Sequence, residues 1–311
     1  MLDYAHLSAL AAVVRTGSFE QAAQHLNVTP SAVSQRIKLL EERIGTVLVV
    51  RGQPCVATEA GQRLCQHVEQ VALLESSLRQ TLPGLQAETQ SVTLRIAVNA
   101  DSLATWFIPA MAETTGYLFD LVLDDQDYSV DWLRRGEVMA AVTSHGTPIQ
   151  GCNCRPLGAM RYIATASPRF VERWFSGGLD RENAARAPCL IFNQKDRLQY
   201  TWLRQAFGAE IRPPLHWLPS SRAFVDAALA GLGWGMNPEV SVREYLRTGR
   251  LVALNPSLPL EVPLFWQESR IVGPVIAGVT RAVLKTARTQ LTPPPISPEA
   301  RGWTAPERLP E

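Results

Sequence analysis

The chain has 311 residues, 46% hydrophobic and 19% charged, which predicts a globular protein with room for two or three domains. Its formal net charge is +1, and residues 1–88 hold seven Lys/Arg against eight Asp/Glu, a net of −1, which excludes nucleic-acid binding through an overall basic field. The five cysteines are odd in number and scattered, which predicts neither a disulfide framework nor a metal site.

A helix-turn-helix is predicted at the N-terminus. Leu2–Thr16 has a helical apolar stripe, Gly17 ends it, and Ser18 caps a short second helix, Phe19–Leu26. A tight turn then leads into a third helix, Thr29–Gly45, with a capping residue at its start and a glycine at its end. Two short helices joined in this way predict that the later one is a recognition helix.

The exposed face of the third helix carries hydroxyls, an amide and cations, which suit base edges and phosphates in a major groove. An ordinary amphipathic surface helix would present a similar face, and the preceding helix and turn decide for the DNA interpretation. The candidate DNA-binding residues on this face are Ser31, Ser34, Gln35, Arg36 and Lys38. Gln35 suits bidentate pairing with adenine, whereas Arg36 suits phosphate or a nearby glutamate.

A wing and a long helix follow. Thr46–Val50 and Cys55–Ala57 predict a small hairpin with Arg51 at its tip, suited to a minor groove or a phosphate. From Thr58, a helix reaches about Leu82 with an apolar stripe over some three heptads. That stripe predicts self-association, with packing on the rest of the chain as the alternative. Residues 85–91 are expected to form a hinge.

From residue 92 the pattern alternates between strands and helices, which predicts a doubly wound parallel α/β sheet. Two segments predict crossings to and from a second lobe, Arg161–Ala166 and Leu260–Ile271, and Pro274–Leu291 predicts the last helix. The expected division is a winged helix-turn-helix (1–58), a dimerisation helix and hinge (59–91), an effector domain (92–291) and a disordered proline-rich tail (292–311). Lobe I comprises 92–161 and 271–291, and lobe II comprises 162–270.

Ligands of doubly wound sheets bind where strands end and helices begin. After the first strand, Asn99, Asp101 and Ser102 offer an anion site at a helix start beside a carboxylate suited to an α-ammonium. Further polar residues follow at the next strand ends and across the cleft: Asp124 and Asp125, Thr143 and Ser144, and Asn193 and Asp196. Clustered carboxylates favour a zwitterion with a cationic tail, lysine or arginine, although local capping by each aspartate is the alternative.

Residues 1–82 resemble the N-terminal half of a LysR-type transcriptional regulator. The resemblance rests on GSFEQAAQHLNVTPSAVSQRIKLLEERIG, a strand ending VVRG, and TEAG opening a long helix, in one order at fixed spacing. A narrower resemblance, to the arginine- and lysine-responsive branch that controls basic amino acid exporters, rests on VVRTGSFE, VVRGQPC, NADSLATWF and AAVTS. It extends over nearly the whole chain except the tail.

This resemblance implies a fold, partners and contacts. It implies a two-lobed, periplasmic-binding-protein-like effector domain and operator contacts by Ser31, Ser34, Gln35 and Lys38, with Arg51 on the wing. It also implies double-stranded DNA and RNA polymerase as partners, an activator, and assembly as a dimer or tetramer.

Other functions weigh less. An enzyme would need a nucleophile–base motif, a phosphate loop or a metal signature, and the sequence shows none, so we expect no catalytic residue, metal or cofactor. A solute-binding transport protein would carry an export signal and would lack residues 1–82; with no such signal and no membrane-spanning run, a cytoplasmic protein with no membrane partner is expected. Two alternatives stay open: a different small-metabolite effector, and inhibition of replication initiation.

Overall fold

The computed structural model describes residues 2–81, 92–123 and 129–293. Two compact units make up the chain, one ending at Val92 and the other beginning at Thr93. The predicted hinge, together with Asp124, Asp125 and residues 294–311, lies outside the described residues.

Three helices form the N-terminal unit as predicted: α1 Tyr4–Thr16, α2 Phe19–His25 and α3 Pro30–Ile44. A side-chain oxygen caps each start, from Asp3, Ser18 and Thr29 respectively. Apolar side chains from α1 and α3 meet in one core, and small Ala22 and Ala23 let α2 pack closely on it. Fully burying each large apolar side chain contributes about 1.5–3 kcal/mol to stability, so this core fixes the orientation of α3.

The wing is shorter than predicted. Strands β1 Val49–Val50 and β2 Val56–Ala57 pair antiparallel, so the hairpin is confirmed, but residues 46–48 are not part of it. The reason is that the Leu48 and Val49 N–H groups both donate to the Glu41 carboxylate, at 2.8 and 3.3 Å, which ties the start of the wing to α3.

Helix α4, Glu59–Thr81, is confirmed as a long helix. Its first turn packs against the segment that precedes β1: at Gly61 a Cβ atom would lie 2.1 Å from the Leu48 carbonyl oxygen, so only glycine fits. Near its start Leu64 and Val68 pack on the N-terminal core, whereas farther along Leu74 is 44% exposed. The predicted stripe is therefore divided between packing within its own unit and an exposed stretch.

The described residues of the second unit form nine strands, with helices between them. The strands are β3 Val92–Val98, β4 Tyr117–Leu123, β5 Ala140–Thr143, β6 Cys152–Ala166, β7 Cys189–Ile191, β8 Leu215–Trp217, β9 Gly235–Pro238, β10 Val252–Ala253 and β11 Leu260–Ser269. The helices are α5 Ala100–Ser102, α6 Ile108–Ala112, α7 Ser129–Arg134, α8 Pro168–Trp174, α9 Arg181–Arg186, α10 Leu198–Phe207, α11 Ser221–Ala230, α12 Glu239–Arg247 and α13 Ala277–Gln290. A π-helical turn, Leu103–Phe107, joins α5 to α6 within one continuous helical segment.

The main sheet is mixed rather than wholly parallel. Its strand order is β10-β6-β11-β5-β3-β4, with β9 also paired to β6. Strands β3 and β5 are parallel as predicted, but β6 and β11 lie side by side in opposite directions. The prediction fails there because the chain leaves the first lobe along β6 and returns along β11, so the two crossings pair with each other.

Some boundaries also differ from the prediction. Strand β6 begins at Cys152 rather than at residue 161. Helices α8 and α9 were not predicted, although Ser167 and Asp180 cap them. Thr292, predicted as the first tail residue, pairs with Ala159 in an antiparallel bridge. Gly158 permits this pairing, since a Cβ atom there would lie 2.5 Å from the Thr292 carbonyl oxygen.

A buried glutamate fastens the last helix to the returning strand. Glu268 on β11 is 2% exposed, and its Oε2 accepts from the Trp266 indole N–H at 3.1 Å and from the Thr280 hydroxyl on α13. Its Oε1 lies 3.5 Å from the Arg155 guanidinium, which compensates the buried charge. Helix α13 thereby completes the first lobe with residues from the C-terminal end of the domain.

The described residues show no disulfide, no metal-binding cluster and no membrane-spanning helix. All five cysteines are free thiols. Among the described residues, no group of three or more His, Cys, Asp or Glu side chains is arranged to hold a metal ion. No helix in the described part of the chain combines the length and apolarity needed to cross a membrane.

Candidate DNA-binding surface and ligand cleft

Helix α3 presents the predicted polar face. Ser31, Gln35 and Lys38 are exposed, while Ser34 and Arg36 are half-buried. The Lys38 ammonium lies 3.8 Å from Glu42 with both side chains largely exposed, so this ion pair is weak and leaves the lysine available for a phosphate. The exposed residues therefore form one surface with the composition of a base- and phosphate-reading helix.

Arg36 differs from its neighbours on this face. Hydrogen bonding from the Ala5 N–H lowers the pKa of Asp3, and the nearby charges of His6 and Arg36 lower it further. The positive charge of Arg36 therefore acts on the N-cap of α1 as well as on the exposed face of α3.

The wing arginine is held by an aromatic ring. The Arg51 guanidinium carbon lies 5.1 Å from the centroid of the Phe19 ring, a cation–π contact that restrains a long side chain. An open hollow of about 610 Å³ separates the end of α1, the starts of α2 and α3, and the wing. Because Ser34 and Arg51 both line it, the fold brings the recognition helix and the wing to one concave surface.

The second unit contains a cavity of about 160 Å³. Four of the predicted effector residues line it: Asn99, Asp101, Asn193 and Asp196. Leu123, the last described residue before Asp124 and Asp125, lines it as well.

Asp101 joins three parts of the domain. Its Oδ2 accepts from the Tyr162 hydroxyl at 2.8 Å, and its Oδ1 accepts from the Ser221 hydroxyl at 2.7 Å. Burial raises the pKa of Asp101, and the two hydrogen bonds lower it in part. The start of α5, the crossing strand β6 and the start of α11 therefore meet at one carboxylate, which favours a cation in the adjacent cavity.

Asp196 is the second carboxylate at the cavity, and it is buried. It is 8% exposed and accepts from the N–H groups of Phe192 and Leu198, at 2.9 and 3.1 Å, and from the Gln199 amide at 3.2 Å. Burial raises its pKa, these hydrogen bonds lower it, and the charge of Asp101 raises it further. Two carboxylates that repel each other across one cavity both gain from a bound cation.

Asn193 shapes the loop that carries Asp196. Its Oδ1 accepts from the N–H groups of Lys195 and Asp196, at 2.7 and 3.1 Å. This is local turn chemistry of the kind that the sequence offered as the alternative for each aspartate of the cleft. Asn99 does the same at the start of α5, where its Oδ1 accepts from the Ser102 N–H at 3.1 Å.

Three predicted residues do not line the cavity. Ser102 is fully buried behind the start of α5. The Thr143 hydroxyl donates to the His145 carbonyl oxygen at 3.1 Å, and the Ser144 hydroxyl lies 3.2 Å from His145 Nδ1. The side chains of Thr143, at the end of β5, and of Ser144 therefore contact the loop that follows the strand.

Several cavity residues were not predicted from the sequence, and most of them belong to the crossing strand or the second lobe. They include Tyr162, Ser221, Phe224, Met236 and Asn237. A local signal exists for Ser221 alone: Ser220 and Ser221 form a serine pair at the start of α11, which marks a helix start as readily as a ligand contact. The others become recognisable only when the topology brings β6 and β9 beside Asp101.

A winged helix-turn-helix and a domain with a buried, carboxylate-lined cavity define a DNA-binding regulator. The chain belongs to the LysR family: residues 4–62 match the bacterial regulatory helix-turn-helix protein, lysR family, and residues 87–288 match the LysR substrate binding domain. It is a LysR-type transcriptional regulator.

The chain is similar to relatives over almost its full length. It is 46% identical to the HTH-type transcriptional regulator LysG of Mycobacterium tuberculosis, covering 92% of this chain and 94% of that protein. It is 43% identical to the regulator ArgP of Pseudomonas fluorescens, covering 94% and 99%.

Solved structures agree on the fold. The crystal structure of ArgP from Mycobacterium tuberculosis matches with a TM-score of 0.82 at 45% identity, covering 95% of this chain and 100% of that one. Full-length LysG from Corynebacterium glutamicum with bound effector Arg matches with a TM-score of 0.70 at 37% identity, covering 94% and 100%. The expected α/β fold, with a winged helix-turn-helix and a two-lobed effector domain, is confirmed.

Proposed function

We propose that this regulator binds a basic amino acid, lysine or arginine, in the cavity lined by Asp101 and Asp196, and controls genes such as an amino acid exporter. The observation that carries the proposal is the presence of two carboxylates at one cavity, the half-buried Asp101 and the buried Asp196. A cationic ligand offsets the unfavourable burial of both charges, whereas an anionic ligand would add to it. The carboxylate of Asp101 also has acceptor positions beyond the two occupied by hydroxyls.

The relatives support this choice of ligand. LysG from Corynebacterium glutamicum binds Arg as its effector, and it aligns with 94% of this chain. Asn99 and Asp101 then hold the amino acid at the start of α5, while Asn193 and Asp196 complete the opposite wall. Asp124 and Asp125, also proposed for the cationic tail, directly follow the cavity residue Leu123.

On the DNA side, we propose that the protein binds a double-stranded operator. Ser34 and Gln35 read base edges, Ser31 and Lys38 contact base or phosphate, and Arg36 contacts phosphate. Arg51 follows the adjacent groove from the wing. The exposure of Gln35 and Lys38 and the hollow shared by Ser34 and Arg51 support these roles.

We propose residues 59–91 as the dimerisation segment, between a DNA-binding domain (1–58) and an effector domain (92–291). The exposed Leu74 and Leu78 on α4 support packing against a second copy, in a dimer or tetramer. Effector binding favours one arrangement of the two lobes, and through it one spacing of the recognition helices on DNA, which is a population shift. Activation then proceeds through contact with RNA polymerase.

Calorimetry on the full chain tests the ligand. L-arginine and L-lysine are titrated, with L-norleucine and L-glutamate as comparison ligands. Norleucine has the same α-ammonium and α-carboxylate but no charged group on its side chain. We expect heat of binding with at least one basic amino acid and none with norleucine or glutamate. Binding of glutamate or norleucine in place of the basic amino acids would contradict the proposal and point to a different metabolite.

A gel-shift titration tests the regulatory step. The DNA upstream of the gene for this protein and of any neighbouring exporter gene is titrated with and without the amino acid that binds. We expect the amino acid to change the affinity or the mobility of the complex. Identical complexes in both conditions, despite calorimetric binding, would contradict an effector role.

A further inference from the structure

Asn237 is a buried polar residue in the cavity wall. It lies on β9 opposite Ile163 of β6, lines the cavity and is 1% exposed. Its Nδ2 donates to the Thr165 hydroxyl oxygen at 2.9 Å and lies 3.5 Å from the Gly235 carbonyl oxygen. One end of the amide is therefore occupied by the sheet.

The other end has no partner within the described part of the chain. Asn237 Oδ1 is buried and accepts no hydrogen bond there. The orientation of the amide follows from its neighbours, because a carbonyl oxygen accepts only, so the nitrogen must face Gly235. A buried acceptor without a donor is rare in native proteins and calls for an unaccounted partner.

We infer that Asn237 Oδ1 accepts a hydrogen bond from an N–H group of the bound cation and is a specificity-determining residue of the cavity. This inference rests on the proposed function. Asp101 and Asp196 select for positive charge, which any cation supplies. The neutral oxygen of Asn237 adds a second requirement, because only a cation that places an N–H donor beside this oxygen can form the hydrogen bond.

The ligand class is accordingly an amino acid whose cationic groups carry hydrogen-bond donors. A cation of equal charge without N–H groups leaves Asn237 Oδ1 unpaired when water is excluded. Discrimination by an unpaired buried polar group is stronger than discrimination by shape alone. Asn237 thus complements the carboxylates rather than repeating them.

Calorimetry with L-arginine and L-lysine tests this role in paired variants. Asn237→Leu removes the acceptor at similar volume, whereas Thr165→Val removes the hydroxyl partner of the amide nitrogen and leaves Oδ1 in place. We expect Asn237→Leu to weaken binding of the effector about 10- to 100-fold, and Thr165→Val to weaken it less than about 3-fold. A loss shared by both amino acids assigns the contact to the α-ammonium they have in common, and a loss for one assigns it to the tail.

A conservative variant separates this role from a structural one. Asn237→Asp keeps an acceptor oxygen but loses the N–H donors to Thr165 and Gly235, so we expect it to bind at least as tightly as the wild type. Melting temperatures of the ligand-free variants verify folding. Equal losses in Asn237→Leu and Thr165→Val, or a loss in Asn237→Asp, would assign the amide to the sheet alone and overturn the inference.

The measurements distinguish failure of the proposed function from failure of the role inferred for Asn237. If the wild type binds neither amino acid, the proposed function and this inference both fall. If the wild type binds and Asp101→Asn abolishes binding while Asn237→Leu does not change it, the proposed function stands and only the role of Asn237 is overturned.

Discussion

The two candidate functional surfaces are assembled from very different spans of sequence. The DNA-facing surface draws on one helix, α3, and on Arg51 a few residues beyond it. In the cavity, by contrast, Asp101 is bonded to residues 61 and 120 positions away in the chain. The first surface consists largely of exposed side chains on a helix held by its own core, and the second consists of buried polar groups that depend on one another.

This contrast sets the expected sensitivity of each surface. Substituting an exposed side chain removes one contact and leaves the scaffold intact, so specificity changes while folding does not. Substituting a buried polar group removes a contact and leaves its partners unsatisfied. Four predictions test whether the two surfaces differ in this way.

The largest effect is expected for Asp101→Asn. Removing the carboxylate charge that pairs with a cation in the cavity should weaken binding of the basic amino acid about 100-fold or more, measured by calorimetry. The same change should lower the melting temperature of the ligand-free protein, because it replaces an oxygen that accepts from a hydroxyl with an amide nitrogen that cannot accept. The matched control is Asp226→Asn, which alters an exposed ion pair with Arg222 at 3.8 Å and should change neither quantity. If Asp101→Asn bound the amino acid as tightly as the wild type, the greater sensitivity expected of the cavity would be contradicted.

A smaller and more selective effect is expected for Gln35→Ala. Loss of a bidentate base contact costs about 1–3 kcal/mol of discrimination at a single operator position, roughly 5- to 150-fold. Competition gel shifts with a panel of point-mutated operators measure it. Gln24→Ala, which removes an exposed glutamine from α2, is the control and should leave the relative affinities unchanged. Unaltered preferences in Gln35→Ala would remove Gln35 from the reading surface.

The pH dependence of ligand binding should be moderate. Burial raises the pKa values of Asp101 and Asp196 above the ordinary 3.8, so lowering the pH protonates these carboxyls sooner than exposed ones. Because the neutral forms attract a cation less, affinity for arginine or lysine should fall as the pH decreases toward these raised values. Calorimetry between about pH 8 and pH 5 tests the direction, and affinity that rises on acidification would contradict it.

The smallest effect is expected for Arg51→Gln on the wing. A phosphate contact contributes to all sequences alike, so affinity should weaken a few-fold across specific and non-specific DNA. The slope of log affinity against log salt should decrease in magnitude by about 1. A loss confined to one operator sequence would instead assign base reading to Arg51.

Sequence reasoning recovers the two regions to different degrees, and for physical reasons. Caps, glycine stops and helical periodicity are local signals, so α1 to α4 and the polar face around Gln35 follow from them. The pairing of β6 with β11 and the meeting of Asp101 with Ser221 depend on how distant segments pack, and no local pattern encodes them. Thr143 and Ser144 do not line the cavity, and the rule that ligands bind at strand ends cannot anticipate this, because it does not say which strand ends face a cavity.

The fastening of α13 by Glu268 has a consequence for the order in which a newly synthesised chain acquires its parts. The N-terminal unit is complete once α4 has emerged, but the first lobe needs Thr280, which lies 12 residues after Glu268 near the end of the domain. At roughly 5–20 residues per second of synthesis, about ten to forty seconds separate these two events. In each newly synthesised molecule, helix α3 can therefore fold well before the ligand cavity of the second unit is complete.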